Sequence, residues 1–339
     1  MFYTGIDQHK RDSFLATYDA EGRLVKQGRV RNTRGALTAY LTAIGRPHRA
    51  VVESTGGWYW LADLLADLDV ELRLAHATRL KAISAAKVKT DRIDADTLAT
   101  LLRADLIPEA HMIARDRRGP RAVLRARLRL VTKRATCRNN IARLFEQANV
   151  AHPTLLDELT QLQVTCYEEQ IALLSAQIRT LEQTLHPILL PTPDVQHLLW
   201  IPGIGKVNAL TLVTEIDDIA RFPSVPRFLS YCRLVPGANN SGGRVRHRSG
   251  HKAGNRYLKL AFSHAAIRAQ QYYPEIRAFY RAKARRKPVR IARTLVALEL
   301  ARIVYYVLST HADFNGCFKG KPLSRRKQLQ WPRLASPAA

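Results

Sequence analysis

Four carboxylates stand where phosphate chemistry would need them. Asp7 closes the apolar run FYTGID, Glu53 closes the run AVVES, and Asp91 and Asp94 lie three apart in KTDRIDADTLA. A spacing of three puts two side chains on one face of a helix. If the strands that end in Asp7 and Glu53 lie side by side, their carboxylates meet at one sheet edge. A helix crossing that edge then adds Asp91 and Asp94. Clustered carboxylates repel one another unless a cation neutralises them, and hard oxygen donors suit Mg²⁺ or Mn²⁺. Two such ions about 4 Å apart activate an attacking oxygen and stabilise a leaving one on a phosphodiester. The plainer reading makes Asp7 a turn cap and Asp91, with Thr90, a helix N-cap. Asp96 and Asp105 read as solvated surface. Lys87, Lys89 and Arg92 favour the metal reading, because substrate phosphate would approach there; otherwise they form an exposed charged face.

The elements that must position these groups follow from patterning. Residues 2–7, 13–18 and 23–30 read as strands, the last two joined by a turn at Asp19–Gly22. A helix fits 34–45, a buried strand 50–54, a helix 58–68, a strand 71–75 and a helix 91–104. This order predicts an α/β layer with a mixed sheet. Residues 115–138 hold ten Lys or Arg and one Asp, with Leu124, Leu128 and Val131 at helical spacing. Residues 139–200 turn acidic, with two Arg against seven acids. Leu173, Leu174, Ile178, Leu181 and Leu185 form a helical stripe there, which predicts a long helix or coiled-coil hairpin ending at the prolines of 187–193. A mainly helical domain is expected from about 196 to 310, and a frayed basic tail after Asp313.

The charge balance names a partner class. The 339 residues carry 54 Lys and Arg against 28 acids, net +26. Residues 1–110 hold 16 basic and 14 acidic residues, so nearly all the surplus lies beyond them. A surplus that size calls for a polyanion, most simply nucleic acid. With 46% hydrophobic residues the chain can bury real cores, and its length suits two or three domains. No apolar run is long enough for a transmembrane helix, and MFYTGIDQHK lacks the pattern of a secretory signal, so a cytoplasmic protein is expected. Cys137, Cys166, Cys232 and Cys317 have no metal-ligand spacing and read as reduced thiols.

The basic half holds two phosphate-directed motifs. LLWIPGIGKVNALTLVTEI (198–216) resembles a helix-hairpin-helix element: Gly203 and Gly205 let backbone approach a phosphate, and Lys206 adds charge at a helix start. Its plain alternative is a tight turn between core helices. RLVPGANNSGGRVRHRSGHKAGNRYLKL (233–260) places Ser241 before two glycines among Arg244, Arg246, Arg248, Lys252 and Arg256. Ser241 is either a turn residue or a nucleophile on phosphate, with the arginines stabilising developing charge; Ser249 is a second candidate. His247 and His251 read as phosphate contacts. Arg285, Arg286 and Lys287 lie in a stretch of seven basic residues (281–293) preceded by Tyr272, Tyr273, Phe279 and Tyr280. That suits nucleic-acid binding, or else the aromatics are core and only the charges touch solvent.

Taken in order, GIDQHK, VVEST, KTDRIDADTLA, the Pro-Gly-Ile-Gly segment, FLSYCRLVPGANNSGG and KAGNRYLKLAF resemble the insertion-sequence one-ten family of transposases over roughly residues 2–310. The resemblance implies a ribonuclease-H-like (RuvC-like) domain at 1–110, with Asp7, Glu53, Asp91 and Asp94 as its Mg²⁺- or Mn²⁺-binding Asp-Glu-Asp-Asp set. It implies that the acidic helical part of the 111–192 segment, after the basic helix, is a coiled coil used in dimerisation, and that 193–312 is a transposase domain; the basic tail, 313–339, lies outside the resemblance. It further implies Ser241 as the nucleophile forming a phosphoserine link to DNA, guidance by a non-coding bridge RNA that pairs with donor and target, and a dimer of dimers. The competing readings are a metal-dependent junction nuclease without a serine intermediate, a non-enzymatic RNA-binding scaffold, and an actin-like kinase fold. The heavy basic charge and the lack of a second glycine-rich phosphate loop speak against the last.

Overall fold

A computed structural model of the chain describes residues 1–83, 90–236, 239–241, 244–246 and 254–324, with the backbone alone for 239–241 and 244–246. They form two compact units, Met1–Arg115 and Asp116 onward.

The first unit is built on a five-stranded sheet. Its strands are β1 (Phe2–Gln8), β2 (Asp12–Tyr18), β3 (Leu24–Arg31), β4 (His48–Glu53) and β5 (Glu71–Ala75), in the order β3-β2-β1-β4-β5. β1, β2 and β3 pair antiparallel, whereas β4 and β5 run parallel to β1. Helices α1 (Arg34–Thr42), α2 (Trp58–Asp67), α3 (Ala77–Ile83) and α4 (Asp91–Arg103) complete the unit. The mixed α/β sheet expected from the patterning is present, with boundaries within a few residues, and α3 was not anticipated. Alternation explains the layering. Ile6, Leu15, Ala50 and Val52 point to one face and pack with Leu37, Leu41, Leu61 and Leu65 of α1 and α2. Val51 and Ala75 point to the other and meet Leu98 and Leu102 of α4.

Gly5 lets α4 sit directly on β1. A Cβ there would lie 2.0 Å from the Ala95 carbonyl oxygen and 2.5 Å from the Ala99 nitrogen. Both are backbone atoms, so no side-chain adjustment relieves the clash.

The α1–α2 face also carries a buried polar row. His48 Nε2 lies 2.7 Å from Thr4 Oγ1, which lies 2.7 Å from Thr17 Oγ1. Burial, helped by nearby Arg46, pushes the His48 ring down to about 4 from its ordinary 6.5. The folded state therefore refuses a proton that the unfolded chain accepts. Stability should be full above pH 6.5 and fall as pH drops toward 4, by about 3 kcal/mol for this group. Chemical denaturation at several pH values checks this, and His48→Gln should flatten that part of the profile.

The second unit opens with two long helices, α5 (Arg115–Ala148) and α6 (Glu158–Leu189). Arg127 bonds Glu182, Arg134 bonds Ser175 and Cys137 meets Gln170, so the two run antiparallel as a hairpin. The helix expected over the basic residues 115–138 thus does not end there but continues ten residues further, to Ala148. Then come α7 (Pro193–Leu199), α8 (Lys206–Ile216), α9 (Val225–Tyr231), the short strands β6 (Asn239–Ser241) and β7 (Arg244–Arg246), α10 (Arg256–Tyr272), α11 (Pro274–Ala284), α12 (Val289–Thr310), β8 (Cys317–Phe318) and β9 (Lys321–Pro322). Phe228, Phe262, Leu210 and Leu300 are fully buried among α8, α9, α10 and α12. The fraying expected after Asp313 does not begin there. Phe318 is buried against Phe279, and the Ser324 amide donates to Glu275. Phe314 and Leu323 also pack on the core, and Lys319 pairs with Glu299, so this stretch folds back onto the core.

Candidate nucleic-acid-processing centre

In the parallel pairing of β1 with β4, Ile6 sits opposite Val52, so Asp7 and Glu53 follow one residue on in neighbouring strands. Their side chains share the face of Gly5 and Val51, the face covered by α4. Thr90 is the N-cap of α4, its hydroxyl accepting from the Ile93 amide at 3.2 Å. That assigns the cap to Thr90 and leaves the Asp91 side chain to the site. Asp91 and Asp94 occupy the first turn of α4. Both are close enough to Asp7 that their charges raise its carboxyl, after the larger effect of burial.

Two residues that the sequence reading did not assign complete this cluster. His9 Nε2 lies 3.0 Å from Asp7 Oδ2 and 3.3 Å from Asp91 Oδ1. Arg29 Nη2 donates to Asp91 Oδ2 at 2.6 Å, and its Nη1 reaches Asp12 at 3.4 Å. Strand register explains Arg29: Asp7 pairs with Phe14 and Phe14 with Arg29, so all three lie in one row across the sheet. Desolvation raises the Asp91 carboxyl, but the Arg29 hydrogen bond and the nearby charges of His9 and Arg29 outweigh it and hold the carboxyl below its ordinary value. Arg29 takes one oxygen of Asp91 and leaves the other facing His9. Asp96, expected as solvated surface, instead accepts from the Tyr18 hydroxyl at 2.9 Å and tethers α4 to β2. Asp105 is exposed, as expected, and pairs with Arg73. Lys87 and Lys89 lie outside the described residues.

The donor chemistry fits a divalent cation. Donor atoms of Asp7, His9 and Asp91 all lie within 4.8 Å of one another. Repulsion from Asp94 and Asp91 adds to burial in raising the Asp7 carboxyl, and a cation would relieve that repulsion.

In the second unit, α7 and α8 flank the Pro-Gly-Ile-Gly turn. Gly203 has φ of +78°, and a Cβ there would fall 2.1 Å from the Ala265 carbonyl oxygen of α10. Packing against α10 therefore accounts for Gly203 without a ligand. Gly205, the N-cap of α8, is exposed with open space around it, and Lys206 follows it. Ser241 pairs with Arg244 in the β6–β7 ladder, and Arg246 pairs with Asn239. Gly242, Gly243, His247, Arg248, Ser249, His251 and Lys252 lie outside the described residues. Arg256 begins α10 and stacks over Tyr257, its centre 5.0 Å from the ring.

The residues flanking this segment are pinned together. Arg233 Nε donates to the Gly254 carbonyl at 2.8 Å, and the Asn255 amide donates to the Tyr231 carbonyl at 2.7 Å. The Asn255 side chain caps α10 and donates to Glu215 at 2.8 Å. Glu215 is 1% exposed and is held by Arg121 and Arg125 of α5. Burial raises its carboxyl, and the Arg125 hydrogen bond and the charges of Arg121 and Arg125 bring it below the ordinary value. A Glu inside an apolar helix (TLVTEI) was the available signal for this hub. Arg285, Arg286 and Lys287 are exposed beyond α11. Tyr273, Phe279 and Tyr280 pack on the core, while Tyr272 is exposed, so most of the aromatics near that basic stretch serve packing. The four cysteines are free thiols, and no helix among the described residues is long and apolar enough to cross a membrane.

Comparison with known proteins agrees with this geometry. A model for DEDD-type IS110 transposases matches residues 4–150, and one described as the transposase IS116/IS110/IS902 family matches residues 195–281. The chain is 23% identical over 333 residues to the transposase for insertion sequence element IS1328 of Yersinia enterocolitica, covering 92% of this chain and 98% of that one. It is 28% identical over 204 residues to the putative transposase y4qE of Sinorhizobium fredii, covering 58% and 52%. It is 22% identical over 281 residues to the transposase for insertion sequence element IS1111A of Coxiella burnetii, covering 77% and 76%. The DEDD match implies a ribonuclease-H-like fold for the sheet domain and suggests dependence on a divalent metal ion. Two matched regions in the family's order, and a relative aligned over nearly its whole length, place this DNA-processing enzyme in the IS110 family of insertion-sequence transposases.

Proposed function

We propose that this transposase cuts and rejoins DNA through a covalent phosphoserine link at Ser241. Asp7, Glu53, Asp91 and Asp94 of a RuvC-like domain would hold Mg²⁺ or Mn²⁺. The observation that carries this reading is the gathering of Asp7 with Asp91 and Asp94 where α4 rests on Gly5. When bound, the ions supply electrostatic stabilisation of the transferring phosphate. The Ser241 oxygen forms a bond to phosphorus as one phosphorus–oxygen bond to deoxyribose breaks. The serine proton is lost and the leaving sugar oxygen gains one. Attack by a second DNA hydroxyl reverses the exchange and frees the serine. Phosphoester bonds are conserved, so no outside energy source is needed.

Gly205 and Lys206 at the start of α8 suit a DNA-backbone contact, with Gly203 shaping the turn. Arg244, Arg246, Arg248, Lys252 and Arg256 offer charge around the serine, and Arg285, Arg286 and Lys287 offer a further basic surface. Donor and target DNA, a non-coding guide RNA and a dimer of dimers complete the reading. So does the division into a metal domain (1–110), a helical linker with coiled coil (111–192), a transposase domain (193–312) and a tail (313–339). These details rest on the order of the motifs.

The test is a covalent adduct. Protein incubated with its element DNA, guide RNA and Mg²⁺ should yield a denaturation-resistant protein–DNA species whose linked peptide contains Ser241, and Ser241→Ala should lose it. Cleavage without any adduct would favour the junction-nuclease reading instead.

A further inference from the structure

We infer that His9 is a metal ligand at this centre, adding an imidazole nitrogen to the carboxylate set and biasing the site toward Mn²⁺ over Mg²⁺. The inference rests on the reading that Asp7 and Asp91 bind a divalent ion.

Distance is the first argument. Adjacent ligands on a six-coordinate ion with bonds of about 2.1 Å are separated by about 3.0 Å. His9 Nε2 lies 3.0 Å from Asp7 Oδ2 and 3.3 Å from Asp91 Oδ1. His9 Nε2 therefore already stands at near-coordinating separations from both carboxylate oxygens, and the three donors lie within 4.8 Å of one another.

Preorganisation is the second. His9 sits in the tight connection between β1 and β2, where long side chains are ordinarily free to swing. Its backbone is fixed on both sides: its amide donates to the Asp12 carbonyl at 3.1 Å, and its carbonyl accepts from Asn32 Nδ2 at 2.7 Å. Asn32 is itself held, accepting from the Ser13 hydroxyl at 2.6 Å. The ring is thus carried over Asp7 by a braced turn.

Compatibility is the third. Arg29 occupies Asp91 Oδ2, whereas His9 approaches Oδ1. The Arg29–Asp91 pair can persist while Oδ1 and Nε2 ligate, and it would orient the carboxylate as hydrogen-bonded outer partners commonly do. An imidazole nitrogen suits Mn²⁺ better than Mg²⁺, which takes oxygen donors almost alone.

The experiment uses the full chain without a histidine tag, loaded with Mn²⁺. Electron spin echo modulation should show a ¹⁴N coupling from imidazole, and His9→Gln should abolish it. Calorimetry on the same samples should find Mn²⁺ bound roughly tenfold more weakly in His9→Gln, with a smaller change for Mg²⁺. Circular dichroism should be unchanged, since the ring is half exposed. Asp7→Asn is the companion variant, and it should lose ion binding outright. Mn²⁺ bound at a site that Asp7→Asn destroys, but with no ¹⁴N coupling in the wild type, overturns the role of His9 while the carboxylate reading stands. Undiminished Mn²⁺ binding in Asp7→Asn overturns the carboxylate reading itself, and this inference with it.

Discussion

Asp7→Asn should reduce DNA strand cleavage in Mg²⁺ at least roughly a thousandfold, the effect of losing about 4 kcal/mol of transition-state stabilisation. Glu53→Gln should act alike. The two carboxylates stand on neighbouring strands, on the sheet face that α4 covers, and Asp7 feels the charges of Asp91 and Asp94 in the first turn of α4. Replacing either by its neutral isostere changes charge and coordination but little volume. Binding of DNA should survive, because 38 of the 54 Lys and Arg lie beyond residue 110. The slope of log affinity against log salt, about −0.9 for each phosphate neutralised on duplex DNA, should therefore match that of the wild type. A variant that binds and cleaves at the full rate would make the cluster structural. A flattened salt slope would mean that the substitution had disturbed the basic surfaces.

Ser241→Ala and Asp94→Asn should each be inactive alone and should recover activity when mixed. A serine hydroxyl is a poor nucleophile at neutral pH and needs activation and charge balance from its surroundings. Residues 241–260 include Arg, Lys and His but no acid. The activating groups must then come from elsewhere, and the carboxylate centre is the candidate. If the centre of one subunit serves the serine of another, a mixed oligomer contains some sites with both parts intact. Random mixing of equal amounts at a site drawn from two subunits yields about a quarter of the wild-type sites. Zero recovery, with mixed oligomers demonstrated by mass, would instead assign the whole site to one chain.

Much of the sheet domain was legible because its residues obey simple periods. Alternation in FYTGID and ELRLA, and the apolar run AVVES, fixed strands to within a few residues. The three-residue spacing of Asp91 and Asp94 put both on one helical face. What escaped depends on register, which periodicity does not encode. Arg29 matters only because β2 and β3 pair so that it falls in the row of Asp7. His9 matters only because a braced turn carries its ring back over the strand it follows. Gly203 was read as making room for phosphate, whereas its missing side chain makes room for α10. Steric need for glycine is visible in a sequence; the neighbour that imposes it is not. Glu215, a single acid in an apolar helix, looks like a defect in sequence; only the fold brings it the arginines of α5.

The pinned base of the serine segment has a consequence for how such a protein can change over generations. The chain departs after Leu234, which is buried in the core, and returns at Gly254, whose carbonyl accepts from Arg233. Closing a longer loop on a fixed base adds only about 0.6 kcal/mol for each doubling of its length. Insertions and deletions between these two positions should therefore leave the helical core almost as stable as before. Substitutions at Tyr231, Arg233, Gly254, Asn255 or Glu215 would instead loosen the base. Selection can accordingly vary the length and content of the segment that carries Ser241 as DNA partners diverge, provided that its base is left alone. Length variation among relatives should concentrate inside that boundary and be scarce just outside it.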